Sequence, residues 1–140
     1  MIVAPGPGGT GVGSLLGTEF GRVLAELVDG VPGARGAVLS DRDGYAVDYA
    51  CDPQRMDGLE LQIAGAQLGH PLARTHAVAV RHLIGTSSVL LESDVGALLG
   101  AVVDEHEGTV LVLVLAPGAS LGRALVRFDR ARTAIALLLR

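Results

Sequence analysis

Lysine and tryptophan are absent from this 140-residue chain, and cysteine occurs once, at Cys51. Without lysine there is no Walker phosphate loop, which needs that side chain at the β- and γ-phosphates. A lone cysteine leaves no disulfide framework and no thiolate zinc cluster, and it suits a reducing cytosol. Aromatic residues are limited to two Tyr and two Phe, and the formal net charge is −4. Nucleic-acid binders need a basic surface and often stacking platforms, so that partner class is excluded. The longest apolar run, residues 110–116, is far too short for a membrane span. A secretory signal is not visible either, because the N-terminus has neither a basic region nor an apolar core. A cytoplasmic protein is expected.

Glycine is abundant, at 20 residues, and Ala, Val and Leu dominate an apolar fraction of 49%. The length suits one domain with a real core. Residues 1–13 read as a flexible Gly/Pro-rich tail and 14–140 as the folded domain. Within the tail, "GPGGTG" at 6–11 matches the G-x-G-x-x-G dinucleotide fingerprint. The fingerprint needs a strand before it, a helix after it and an acid about 20 residues on. Only five residues precede Gly6, Pro7 interrupts the motif, and Asp29 closes a helical pattern instead of a strand. The tail reading stands, and no cofactor is expected.

Residues 15–30 place Leu16, Phe20, Val23, Leu24, Leu27 and Val28 at helical spacing, with Ser14 or Thr18 as cap and Gly30 and Pro32 as stop. Residues 34–50 form two β-rich runs joined across Asp43-Gly44, a hairpin signal. Asp41, Asp43 and Gly44 are too closely spaced for a calcium loop. Residues 55–84 carry two apolar faces on one helix. One holds Leu61, Ala64, Leu68, Leu72, Ala79 and Leu83; the other holds Leu59, Ile63, Ala66, His70, Ala73, Ala77, Val80 and Ile84. Glu60, Gln67, Arg74 and Arg81 make a polar stripe between them. A surface helix of a monomer needs one apolar stripe, so the second face requires another apolar surface. Pro71 is expected to kink or split this helix.

Three strands follow, at 86–93, 96–103 and 109–116, the last apolar on both alternating faces and therefore covered on both. Residues 120–140 form a closing amphipathic helix with Leu121, Leu125, Phe128, Ile135 and Leu139 inward. Arg123, Arg127 and Arg130 share its outward face, which reads as a solvated surface or a site for an acidic partner. The order α-β-β-α-β-β-β-α predicts an α/β (α+β) fold, a mainly antiparallel sheet between helical layers.

Candidate chemistry is sparse. "GASLG" at 118–122 matches the G-x-S-x-G nucleophile elbow and sits between a strand and a helix. No histidine follows Ser120, so a hydrolase would have to recruit His70, His76, His82 or His106 from upstream. The simpler reading makes Ser120 the cap of the last helix, with its hydroxyl on a free amide. The first three histidines are six residues apart, which scatters them around a helix, so no metal site is expected.

Two segments bear a family resemblance. "LVDGVPGARGAVLSDRDGYAVDYA" (27–50) resembles the opening of roadblock / dynein light-chain domains, and "VLVLVLAPGASLGRALVRFDRA" (110–131) resembles their close. The element order agrees over about residues 15–140. The resemblance implies a profilin-like fold with five strands, the second helix on one face and the first and third on the other. It further implies a homodimer through the second helix and third strand, and service to a small Ras-like GTPase as scaffold, activator or exchange partner. A structural adaptor without a GTPase is the alternative, and no catalytic residue is implied. The implied interface takes Leu59, Ile63, Ala66, His70, Ala73, Ala77 and Val80 of the helix and Ser88, Leu90 and Glu92 of the strand. Glu60, Gln67, Arg74 and Arg81 become candidate partner-facing residues.

Overall fold

A threonine and an aspartate start the first helix. The computed structural model describes residues 13–14, 17–82, 88–104 and 106–140. Helix α1 (Glu19–Gly30) is capped by Thr18, whose Oγ1 accepts the Gly21 N–H at 3.1 Å. The Thr18 hydroxyl and backbone N–H in turn donate to Asp48 Oδ2, at 2.6 and 3.1 Å. Strands β2 (Ala34–Ser40) and β3 (Ala46–Cys51) form the expected hairpin. Its tip is held by Asp41 Oδ1, which accepts the N–H groups of Asp43 and Tyr45. Gly44 sits there at φ 88°, a conformation that disfavours any side chain.

Helix α2 (Gly58–Arg81) follows, then strands β4 (Val89–Ser93), β5 (Gly96–Asp104) and β6 (Thr109–Leu115), and helix α3 (Leu121–Leu138). All strand pairings are antiparallel, in the order β1-β3-β2-β6-β5-β4. The five expected strands are all present. A two-residue strand, β1 (Gly13–Ser14), adds to the edge by pairing with Cys51 and Ala50. Gly13, assigned to the tail, therefore belongs to the sheet.

Two cores lie on the two sheet faces. Leu111, Leu113 and Leu115 of β6 point to α1 and α3, where they join Leu24, Leu27, Phe128 and Ile135. Val110, Val112 and Val114 point to α2 and meet Leu61, Leu72 and Tyr49. Every residue of β6 is buried, as its doubly apolar pattern predicts.

Helix α2 lies close on its face because glycines leave room. A Cβ at Gly65 would come within 2.9 Å of Val38 and 2.6 Å of the Ser40 Oγ. On the sheet side, Gly36 and Gly100 make hollows for Leu61 and Leu72. Pro71 does not split the helix, which runs unbroken for 24 residues. Its ring lies on the exposed side, so the lost backbone hydrogen bond falls where water can replace it.

Two expectations for α3 are corrected. Its buried stripe is Ala124, Phe128, Ala131 and Ile135, so Leu125 turns out to solvent and is 44% exposed. Small alanines face the neighbouring elements and Leu125 lies a quarter turn away. Ser120 holds the N-cap position, yet its side chain makes no capping hydrogen bond. Only its carbonyl takes part, accepting the Ala124 N–H at 3.0 Å, while the exposed hydroxyl is left to water.

Candidate functional site

The richest unpartnered surface lies on α2 and the edge strand β4. Asp57 sets the phase of α2 by accepting the Leu59 N–H at 2.9 Å. Leu61, Gly65, Gly69, Leu72 and Ala79 are then buried, with Ala64, Leu68 and His76 half-buried beside them. The second apolar face points outward: Leu59 is 63%, Ile63 46% and Val80 40% exposed. Ala66, His70 and Ala77 are exposed in the same stripe. Ala73 differs, being half-buried and packed against the α2 side of the core. The hairpin tip borders the stripe, since a Cβ on Gly44 would be 3.4 Å from that of Ala66. Glu60, Gln67, Arg74 and Arg81 are all exposed on the flank. Val78, 51% exposed, joins them there, a hydrophobe that the helical pattern did not single out.

Among the described residues strand β4 has a sheet neighbour on one side only. Leu90 pairs with Leu99 and Glu92 with Ala97, which face the α1–α3 core. Val89 and Leu91 pair with Gly100 and Leu98, on the α2 face. So the side chains that share a face with α2 are Val89 and Leu91, and Leu90 and Glu92 point to the other side. Ser88 lies just before the strand and is exposed. Leu91 is 53% exposed and Val95, in the following turn, 69%. The adjacent leucines at 90 and 91 hid the phase of the strand in the sequence; only the pairing with β5 resolves it.

The other candidates are not brought together. His70 is on the outer α2 stripe, His76 is half-buried, His82 caps the end of α2, and His106 lies exposed in the β5–β6 turn. The carbonyl of His106 accepts a hydrogen bond from the Arg42 guanidinium. Among the described residues no group of three His, Cys, Asp or Glu side chains is placed to hold a metal. Asp29 is exposed near the end of α1, and the glycines at 6, 8 and 11 lie outside the described residues. Cys51 is buried, and burial, with Asp57 and Asp52 nearby, pushes its thiol pKa up. A thiol held in its protonated form is a poor nucleophile. Among the described residues no helix is long and apolar enough to cross a membrane.

The exposed apolar side chains of α2 lie on the same sheet face as Val89 and Leu91 of the edge strand β4. No family model and no curated protein matches the sequence. Solved structures do. A Roadblock/LC7 domain from Streptomyces avermitilis is 20% identical, with TM-score 0.67 over 84% of this chain and 95% of that one. The gliding protein MglB from Thermus thermophilus is 26% identical, with TM-score 0.68 over 82% and 84%. MglB from Myxococcus xanthus is 21% identical, with TM-score 0.69 over 88% and 96%. The chain has the Roadblock/LC7 fold, and its structural neighbours are Roadblock/LC7 and Mgl-type proteins.

Proposed function

We propose that this chain is a non-catalytic, homodimeric regulator or scaffold of a small Ras-like GTPase, acting in the cytoplasm without a cofactor. One observation carries the reading. Helix α2 holds Leu59, Ile63 and Val80 in water on the side away from its own sheet. Each Å² of such surface gains about 25 cal/mol on burial. A second copy laid antiparallel, helix on helix and β4 edge on β4 edge, would cover the stripe and remove an open sheet edge together. Ala66, Ala73 and Ala77 are small enough for the two helices to approach closely, with His70 among them. The strand contributes Ser88, Leu90 and Glu92, and Leu91 is added to that set because it shares the α2 face. Glu60, Gln67, Arg74 and Arg81 border the seam and form the surface offered to the GTPase. Similarity to MglB, one structure of which has a tetrameric arrangement, supports self-association and a regulatory role.

A partner of this kind supplies no catalytic group; it raises or lowers hydrolysis by reshaping the enzyme's own site. The test has two parts. Sedimentation of the wild type and of Ala77→Glu at equal concentration reads the dimer. A buried unpaired charge costs several kcal/mol and acts in both copies, so the variant is expected to run as a monomer. Ala77 serves better than Ala73, whose half-buried side chain also touches the chain's own core. GTP hydrolysis by a candidate small GTPase, with and without the dimer, then reads the regulation. A dimer that changes no GTPase leaves the adaptor reading, and a wild-type monomer removes the support for both.

A further inference from the structure

On the sheet face opposite α2, helices α1 and α3 do not close completely. Ala131 and Ala134 face α1, and their small side chains leave a groove of about 220 Å³. Its floor is apolar: Leu27 and Ala131 are buried, Val23 and Ala134 half-buried. Its α3 rim is formed by Arg127 and Arg130, both exposed, and Glu26 stands on the α1 rim. Arg127 also reaches the last residue of α1, where a Cβ on Gly30 would lie 3.6 Å from its Nε. The negative end of that helix helps hold the guanidinium in place.

Among the described residues these arginines have no hydrogen-bond or ion-pair partner. Among the described residues the ion pair is Arg55 with Asp52, and neither Arg127, Arg130 nor Glu26 makes a hydrogen bond. Arg132, by contrast, is spent internally, donating to the Val102 carbonyl at 2.9 Å. The chain as a whole is acidic, at −4, while α3 holds Arg123, Arg127, Arg130 and Arg132, with Arg140 just beyond it, against Asp129 alone. The positive charge is thus concentrated beside an apolar hollow. A guanidinium offers a planar fork that matches a carboxylate.

We propose that the groove between α1 and α3 binds an acidic amphipathic segment of a partner protein. Apolar side chains of that segment would lie on Leu27 and Ala131, and its carboxylates would take Arg127 and Arg130. The hollow is concave, so a flat bilayer would meet only its rims. The site lies on the sheet face away from α2, so it stands apart from the dimer seam, and its two copies would face the same way.

The probe is a short fluorescent peptide of Glu and Leu, with Leu at helical spacing, read by anisotropy against the full chain. A Lys-for-Glu version of the peptide and phosphatidylglycerol vesicles serve as comparisons. Binding of the acidic peptide is expected to weaken with salt and to fall roughly tenfold or more in Arg127→Glu/Arg130→Glu. Ala134→Leu, which fills the floor and leaves the charges, is expected to weaken it as well. Both variants are expected to keep the wild-type sedimentation and melting behaviour, which separates this result from the dimer reading. The proposal is overturned by failure of the acidic peptide to bind, by equal binding of the Lys peptide, or by binding that survives the arginine reversal. Vesicle binding in place of peptide binding would overturn it too, as would a change of oligomeric state in the arginine variant.

Discussion

Asp48 is the most consequential single residue outside the surface. It is fully buried on β3, yet its carboxylate is engaged by the Thr18 N–H and hydroxyl and by the Tyr49 N–H. It ties the start of α1 to the sheet across thirty positions of sequence. Removing it would strand several donors, each worth about 1–3 kcal/mol when left unmet. Asp48→Ala is expected to lower the urea-unfolding free energy by about 3 kcal/mol or more. Ser40 is the opposite case, since its buried Oγ has no hydrogen-bond partner. Ser40→Ala is expected to be neutral or stabilising by up to about 1 kcal/mol, in the same measurement. Cys51 supplies a pH test. Burial raises its pKa in the folded state, so the folded chain holds that proton more tightly than the unfolded chain does. Stability is then full below the ordinary thiol pKa of about 8.5 and declines as the pH rises through and above it. Denaturant melts at successive pH values should show a shallower alkaline decline for Cys51→Ala.

Among the elements, α2 contrasts two glycines on its buried side. A methyl at position 65 would press on Val38 and the Ser40 Oγ, whereas a Cβ at Gly69 meets nothing within 4 Å. Gly65→Ala is expected to cost about 1–3 kcal/mol by overpacking. Gly69→Ala should gain about 0.5–1 kcal/mol from helix propensity alone. A thermal melt of the pair checks this, and equal shifts would mean that α2 does not sit this close to β2. The hydrophobic period revealed both apolar faces of the helix, because spacing is a property of the sequence. It did not reveal the glycine contacts, because an unadorned backbone looks the same in a sequence whether it is crowded or free. Pro71 misled for a related reason: its cost depends on which way it faces, and it faces water.

For the whole molecule, the dimer reading makes stability depend on concentration. If α2 and β4 are buried in a second copy, the melting temperature should rise with protein concentration, as mass action requires. Leu61→Ala, in the hidden core, is expected to cost about 2–5 kcal/mol at every concentration. Ile63→Glu, on the outer stripe, should lose the concentration dependence and little else. Deleting residues 1–12 is proposed to leave the melting temperature unchanged, whereas a cut beyond Ser14 removes the pairing of β1 with Ala50 and Cys51.

The order of helices and strands, the Asp43-Gly44 turn and the two-faced burial of β6 were all determined by the sequence itself. Each follows from local periodicity or turn chemistry, and neighbours along the chain decide those. The resemblance to roadblock domains added which helix lies on which sheet face. Tertiary structure alone decided the rest. It set the phase of Leu90 and Leu91, because strand facing is established by a partner strand. It turned Leu125 outward, because the helix rolls to seat its alanines. It left the Ser120 side chain without a capping hydrogen bond, because residue type sets only the capacity to cap and local geometry sets whether the bond is made. And it opened the groove beside Arg127 and Arg130, since the gap between two helices depends on side chains about a hundred residues apart in the chain.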